Sequence, residues 1–474
     1  MLKKLVNFSL WNFFGSGLFS AANIISLFII TKYLIVVDVG RINAIIQSIG
    51  IFSLFSSSPV GTAIIKFISP LRENNQPELK NKLFHLAIVF FVTLFVTTFF
   101  FLVLANSISE FFNDINLSFF IKIATPWFFL FCINEVMTSI FYSLNLHKKF
   151  VKVQIIRSIF LITTSYFLTL NFQLIGFIFA NIIVLIFTNA YQYFILKNEF
   201  KNQNFKNIYF NINEAKIIFK FTTGTLISSL STLPFIYISN GILSSRRGIN
   251  NLALLNISNT YRGILTFFPI AFGKIILSFI GDSTSNSSEQ RVEKFQLSNW
   301  INNLLIWPLF IFFLLYSSTL LEFHGQNYVD GIIPFKILIG ATALGFLGNA
   351  FGGVLISDGN YFISFFANLL TGLSILFLTF FEYNLDSLIM YSLGFLFGYL
   401  LNLLITIYVI STKLRLSRNF VLKQILMIFL LFFLVLINLI YNLSFNLFSS
   451  IIISILSLVL IFFVYKPSFI KIKL

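Results

Sequence analysis

Long apolar runs, separated by short polar gaps, set the pattern of this chain. Residues 83–109 contain no Asp, Glu, Lys or Arg. At 1.5 Å per residue such a run crosses the roughly 30 Å hydrocarbon core of a bilayer. The uncharged run 424–465 is too long for one crossing; Asn442-Leu-Ser-Phe-Asn446 breaks it into a hairpin. The apolar run 153–196 behaves likewise, broken at Asn171-Phe-Gln173. The pattern predicts about 14 helices, over 10–31, 42–67, 83–105, 118–143, 153–170, 174–196, 217–240, 251–279, 298–320, 334–356, 361–381, 388–410, 424–441 and 446–465. The fold class expected is an all-α polytopic membrane protein.

Charge orients these helices. The chain has 32 Lys and Arg against 16 Asp and Glu. With the N-terminus on the cytoplasmic side, 21 of the cations fall in cytoplasmic gaps and only 4 (Lys32, Arg41, Arg246 and Arg247) in outer ones; the other 7 lie within helices. That asymmetry is the positive-inside pattern, and with an even helix count it places both termini in the cytoplasm. Residues are 57% hydrophobic and 10% charged, with a mean hydropathy of +0.91. A soluble chain of 474 residues needs more charge than this to cover its surface. The opening Met-Leu-Lys-Lys before an apolar run resembles a signal peptide, but the many later spans favour a retained first helix.

The gaps are too short for a soluble catalytic domain. The single cysteine, Cys132, excludes an internal disulfide and a cysteine-based metal site. The histidines, at 85, 147 and 324, lack metal-ligand spacing. No phosphate-binding Gly-x4-Gly-Lys-Ser/Thr loop, His-Glu-x-x-His motif or paired-carboxylate site is present. The sequence implies neither an enzyme nor a metal or cofactor, and no nucleic-acid partner.

A weak internal repeat organises the spans. Gly15, Gly40 and Pro59 recur as Gly224, Gly248 and Pro269, at offsets of 209, 208 and 210 residues. Gly40-Arg-Ile-Asn-Ala44 echoes Gly248-Ile-Asn-Asn-Leu-Ala253. Six helices per unit give both halves the same orientation, the parallel-repeat plan of transporters. The domains expected are a six-helix bundle over 1–210, a second over 211–412 and an extra two-helix hairpin over 413–474.

Charges inside the spans are costly and usually functional. They are Lys66, Lys122, Arg157, Lys220, Arg262, Lys274 and Lys336, with Glu135 the only acid. Lys122 and Lys336, at outer ends, and Lys220, at an inner end, can snorkel to the interface. Lys66 and Lys274 follow the repeated prolines at similar places in the two halves, where they line a shared cavity or simply the cytoplasmic mouth. Glu135 and Arg157 lie at matched depth on antiparallel helices, so an ion pair that ties the helices is expected; a site role for Arg157, and ion coupling through Glu135, are the alternatives. Arg262 lies deep in its helix without an acid partner in sequence, and points to a substrate-facing cavity for an anion. Gly348–Gly352 and Gly394–Gly398 form GxxxG patterns, which favour close static packing over a sliding surface.

The residues from Gly15 to Ser69, with FIITKYLIVVDVGRINAIIQSIGIF and SSPVGTAIIKFIS, resemble the opening of the multidrug/oligosaccharidyl-lipid/polysaccharide exporter superfamily. LEFHGQNYVDGIIPFKILIGATALGF resembles its late outer loop and helix. YSLNLHKKFVKVQIIRSI and ISDGNYFISFFANLL resemble its two helix-turn-helix connections. Within the superfamily the chain is most similar to the polysaccharide and O-antigen flippases. The resemblance implies a V-shaped pair of six-helix bundles. It also implies export of an undecaprenyl-pyrophosphate-linked oligosaccharide, an O-antigen or related surface-polysaccharide unit of lipopolysaccharide biosynthesis, across the bacterial inner membrane by alternating access through a basic cavity. Partners would be the lipid-linked oligosaccharide, membrane lipids, and the polysaccharide polymerase and chain-length machinery. Two alternatives stay open. A cation-coupled drug exporter of the same superfamily would favour an acidic cavity. A membrane polymerase or glycosyltransferase would want a large outer loop or a catalytic acid motif.

Overall fold

Two prolines decide where two of the expected membrane helices break. In Ser53-Leu-Phe-Ser-Ser-Ser-Pro59, the proline cannot donate to the carbonyl of residue 55. The run 42–67 is accordingly two helices, α2 (Val36–Ser53) and α3 (Ser57–Ile68), with Ser56 at φ −133°, ψ −82° between them. In Ser228-Ser-Leu-Ser-Thr-Leu-Pro234, the proline cannot reach residue 230. The run 217–240 likewise divides into α8 (Ile212–Ser229) and α9 (Leu233–Arg247). Broken backbone of this kind inside a membrane must find partners within the protein.

The structure is a computed structural model that describes every residue except 1, 72–75, 201–210, 282–287, 358–360, 382–385, 442, 444 and 466–474. The remaining helices are α1 (Leu2–Tyr33), α4 (Gln76–Val103), the short α5 (Ala105–Phe111), α6 (Leu117–Ser143), α7 (His147–Glu199), α10 (Asn250–Gly281), α11 (Ser288–Leu315), the short α12 (Ser317–Glu322), α13 (Ile332–Leu347), α14 (Asn349–Ser357), α15 (Tyr361–Phe380), α16 (Ser387–Leu414), α17 (Arg418–Tyr441) and α18 (Leu447–Tyr465). Each of the fourteen runs read from the sequence falls on helix, and the fold is that of an all-α polytopic membrane protein. Among the described residues, nine helices are long and apolar enough to cross a bilayer.

One of these nine is α7, which contains two crossings. Gln173 has φ 50° and ψ −132°, so the chain folds into two arms at the Asn171–Gln173 break. Gly176 sits so close to the returning arm that a Cβ there would lie 1.9 Å from the carbonyl oxygen of Leu168. Only glycine permits that approach.

The helices gather into two compact units, Val6–Ala253 and a second built on Leu254–Leu474. In the first, α6 packs against α3 and α7, and α8 packs against α3 and α4. Phe141, Phe150, Val153 and Leu196 form a buried cluster there. Helix α2 meets the turn before α10: a Cβ on Gly40 would lie 2.1 Å from the Ile249 carbonyl oxygen, beside Gly248 at φ 85°.

In the second unit α13 is the central helix, with Phe335, Leu338, Ile339, Ala341, Ala343 and Leu344 fully buried among α11, α16 and α17. Of the two GxxxG patterns, Gly394–Gly398 packs closest. A Cβ at Gly398 would lie 2.9 Å from the Thr371 Cα, and Thr371 Oγ1 donates to the Gly398 carbonyl at 3.1 Å. In the other pattern a Cβ at Gly348 would lie 3.3 Å from Leu403 Cδ1, while at Gly352 it would meet nothing within 4 Å. Helices α17 and α18 pack on α13 and α11.

Candidate functional site

In the first unit, the α2/α3 break presents Ser56 and Ser57 to α6. Ser57 Oγ donates to Glu135 Oε2 at 2.6 Å, and Ser56 Oγ lies 3.4 Å from the Cys132 sulfur. The break thus supplies a neutral partner for the carboxylate that the sequence placed alone in the membrane. Gly61 lets α3 approach α6 here, since a Cβ would come within 2.6 Å of Ser139 Oγ.

The expected direct ion pair between Glu135 and Arg157 is not formed. Arg157 Nη1 instead donates to Asn134 Oδ1 at 3.0 Å, and the guanidinium lies 4.0 Å from the centre of the Phe19 ring. Matched depth is correct, because Asn134 is the chain neighbour of Glu135. Helical rotation explains the difference: successive residues point about 100° apart, so α6 turns Asn134, not Glu135, toward α7. Asn134 is held in turn, donating to Asn189 Oδ1 at 3.0 Å and Gln192 Oε1 at 3.2 Å. Asn189 Nδ2 donates to the Leu130 carbonyl at 2.9 Å. This buried amide ladder was missed in the sequence, although Asn189 and Gln192 are three residues apart on one helical face. Arg157 Nε is buried without a partner, so the ladder satisfies the guanidinium only in part.

Lys66 is exposed, with its ammonium 4.0 Å from the centre of the Phe221 ring on α8. The cation thus rests on an aromatic face while it stays accessible. Lys122 and Lys220 are exposed, in keeping with snorkelling. The side chain of Lys274, on α10, lies outside the described residues.

In the second unit, Arg262 on α10 bridges to α13. Its Nε donates to Thr342 Oγ1 at 2.7 Å and its Nη1 to Asn259 Oδ1 at 2.9 Å. The guanidinium lies 4.4 Å from the centre of the Phe395 ring on α16. Among the described residues no carboxylate forms an ion pair with it, so neutral dipoles and a ring face position this charge. A half-buried guanidinium held in this way keeps its fork available for an anion.

Lys336 corrects another expectation. It does not snorkel: it is 1% exposed, and its Nζ lies 3.4 Å from the Asn438 carbonyl oxygen on α17. The sequence position was near a helix end, but α17 packs over it.

A family model described as polysaccharide biosynthesis protein matches residues 9–275, more than half of the chain. The chain belongs to this family. The fold of this polysaccharide biosynthesis protein is shared by solved membrane transporters. An inward closed conformation of the lipid II flippase MurJ is similar with a TM-score of 0.72 at 14% identity, over 97% of this chain and 98% of that one. An inward-facing multidrug resistance MATE family transporter of the MOP superfamily gives a TM-score of 0.71 at 12% identity, over 84% and 96%. A MOP superfamily transporter from Pyrococcus furiosus, described by a reversed polarity of its binding pocket, gives 0.64 at 14%, over 87% and 96%. No significant match is found among curated protein sequences.

Proposed function

We propose that this polysaccharide biosynthesis protein exports an undecaprenyl-pyrophosphate-linked oligosaccharide, an O-antigen or related surface-glycan unit, across the bacterial inner membrane, with both termini in the cytoplasm. The observation that carries this reading is Arg262. A membrane-embedded guanidinium held by Thr342, Asn259 and Phe395, with no ion-pair partner among the described residues, suits a pyrophosphate. Sugars and phosphates cannot cross hydrocarbon unaided. A hydrated basic cavity opened alternately to each side supplies their solvation, while the lipid tail stays in the bilayer. Arg157, Lys66 and Lys274 are the further cations that this reading assigns to the anionic substrate. Glu135, held by Ser57 at a helix break, is the group on which proton or cation coupling acts. An inside-negative potential favours exit of each anionic charge by about 2.3 kcal/mol per 100 mV. The exported unit then passes to the polymerase and chain-length machinery.

Complementation of a deletion strain tests the reading. Wild type restores surface glycan and clears lipid-linked oligosaccharide from the cytoplasmic leaflet. Arg262→Ala accumulates in the membrane yet restores neither. Full display by Arg262→Ala removes that residue from the site; glycan display that does not depend on the gene overturns export.

A further inference from the structure

A cavity of about 160 Å³ with a mixed apolar and neutral polar lining lies between α13, α14, α15 and α16 in the second unit. It opens where α13 gives way to α14 at Gly348, with α15 and α16 opposite. Its polar lining is Asn349, Ser364, Asn368, Tyr399, Asn402 and Thr406, and among the described residues no charged side chain contributes. Asn402 Nδ2 donates to Asn368 Oδ1 at 3.0 Å across it. Amides and hydroxyls clustered within membrane helices at a helix discontinuity are costly in hydrocarbon and suit a polar ligand.

The cavity neighbours the cationic site along two helices. Thr342, which holds Arg262, is one turn from Gly345 in the cavity wall along α13. On α16, Phe395 carries the guanidinium, and its ring centre is 6.0 Å from that of Tyr399, which lines the cavity. A group bonded to a phosphate on Arg262 would therefore lie about one helical turn from the cavity lining.

Chemistry selects that group. The volume admits several waters, far more than one cation needs. An anion would find no counter-charge, and an apolar group would strip water from several amides at about 1–3 kcal/mol for each one left unpaired. Amides both donate and accept, as a polyhydroxyl ligand requires, and the Tyr399 ring offers an apolar face for a pyranose. We infer that this cavity is the subsite for the first sugar next to the pyrophosphate, and that Asn402, Asn368 and Tyr399 set which sugar is accepted. This rests on the export reading above.

The test measures binding to purified protein in nanodiscs with two probes: undecaprenyl pyrophosphate, and the oligosaccharide-bearing form extracted from the host. Wild type is expected to bind the sugar-bearing form about tenfold more tightly. Gly352→Leu fills the cavity from a position where a Cβ meets nothing within 4 Å, and Asn402→Leu removes the amide. In both variants the two probes should bind equally. Equal binding of both probes to wild type overturns the subsite and leaves export standing. A tenfold preference that survives in both variants also overturns it. Binding of neither probe to wild type overturns the export reading, and the subsite with it.

Discussion

Arg157 Nη1 lies 3.0 Å from Asn134 Oδ1, so the guanidinium answers the amide next to Glu135 rather than Glu135 itself. A hydrogen bond to a charged group contributes about 1.5–3 kcal/mol. A double-mutant cycle of Arg157→Met with Asn134→Leu should show coupling of about 1–2 kcal/mol, read from denaturation in detergent. The cycle with Glu135→Gln should give less. Stronger coupling to Glu135 would restore the ion pair as the structural link.

Gly40 is expected to tolerate no side chain. Its Cβ would lie 2.1 Å from the Ile249 carbonyl oxygen, whereas a Cβ at Gly50 on the same helix meets nothing within 4 Å. Forcing α2 away from the 248–249 turn should cost about 1–3 kcal/mol. Gly40→Ala should therefore lower the thermal midpoint and membrane abundance, with Gly50→Ala as the control that does not. Equal midpoints would refute the close packing of α2 on the 248–249 turn.

His324, in the turn after α12, makes stability depend on pH. Burial holds its imidazole down at about 4, and Nε2 lies 3.0 Å from the Tyr261 hydroxyl, which donates to the neutral ring. The unfolded imidazole titrates near 6.5, so between these values the unfolded chain binds more protons. Stability is complete above about pH 6.5 and falls as pH drops toward 4, by at most about 3 kcal/mol. His324→Gln keeps an acceptor without titrating. Its thermal midpoint should fall less between pH 7.5 and 5 than that of wild type; parallel profiles would show that His324 is not responsible.

Reporter fusions address orientation. Fusions after Leu146 and Ser417 should report from the cytoplasm, and those after Phe112 and His324 from the opposite side. A reversed result at 146 would break the alternation that the charge bias requires, because Lys148, Lys149 and Lys152 follow it directly.

Hydropathy alone located the fourteen runs, because a bilayer demands length and apolarity from each segment independently of its neighbours. Proline chemistry made the breaks at 54–56 and 230–232 readable as well, yet 42–67 and 217–240 read as single helices. A hydropathy window averages over a local backbone fault, and only the missing donors at Pro59 and Pro234 mark it.

The sequence by itself determined an all-helical membrane chain, its charge asymmetry, its hairpin at Gln173 and the identity of the rare in-span charges. These depend on composition, periodicity and local stereochemistry. Tertiary structure alone decided what each charge touches. Arg157 meets Asn134 because α6 presents that side to α7, and Lys336 is sealed because α17 covers a helix end. Arg262 is held by Thr342, 80 positions away, and the amides of α14, α15 and α16 meet in one cavity. Such contacts depend on helix rotation and on which helices become neighbours, and no pattern within a single segment encodes either.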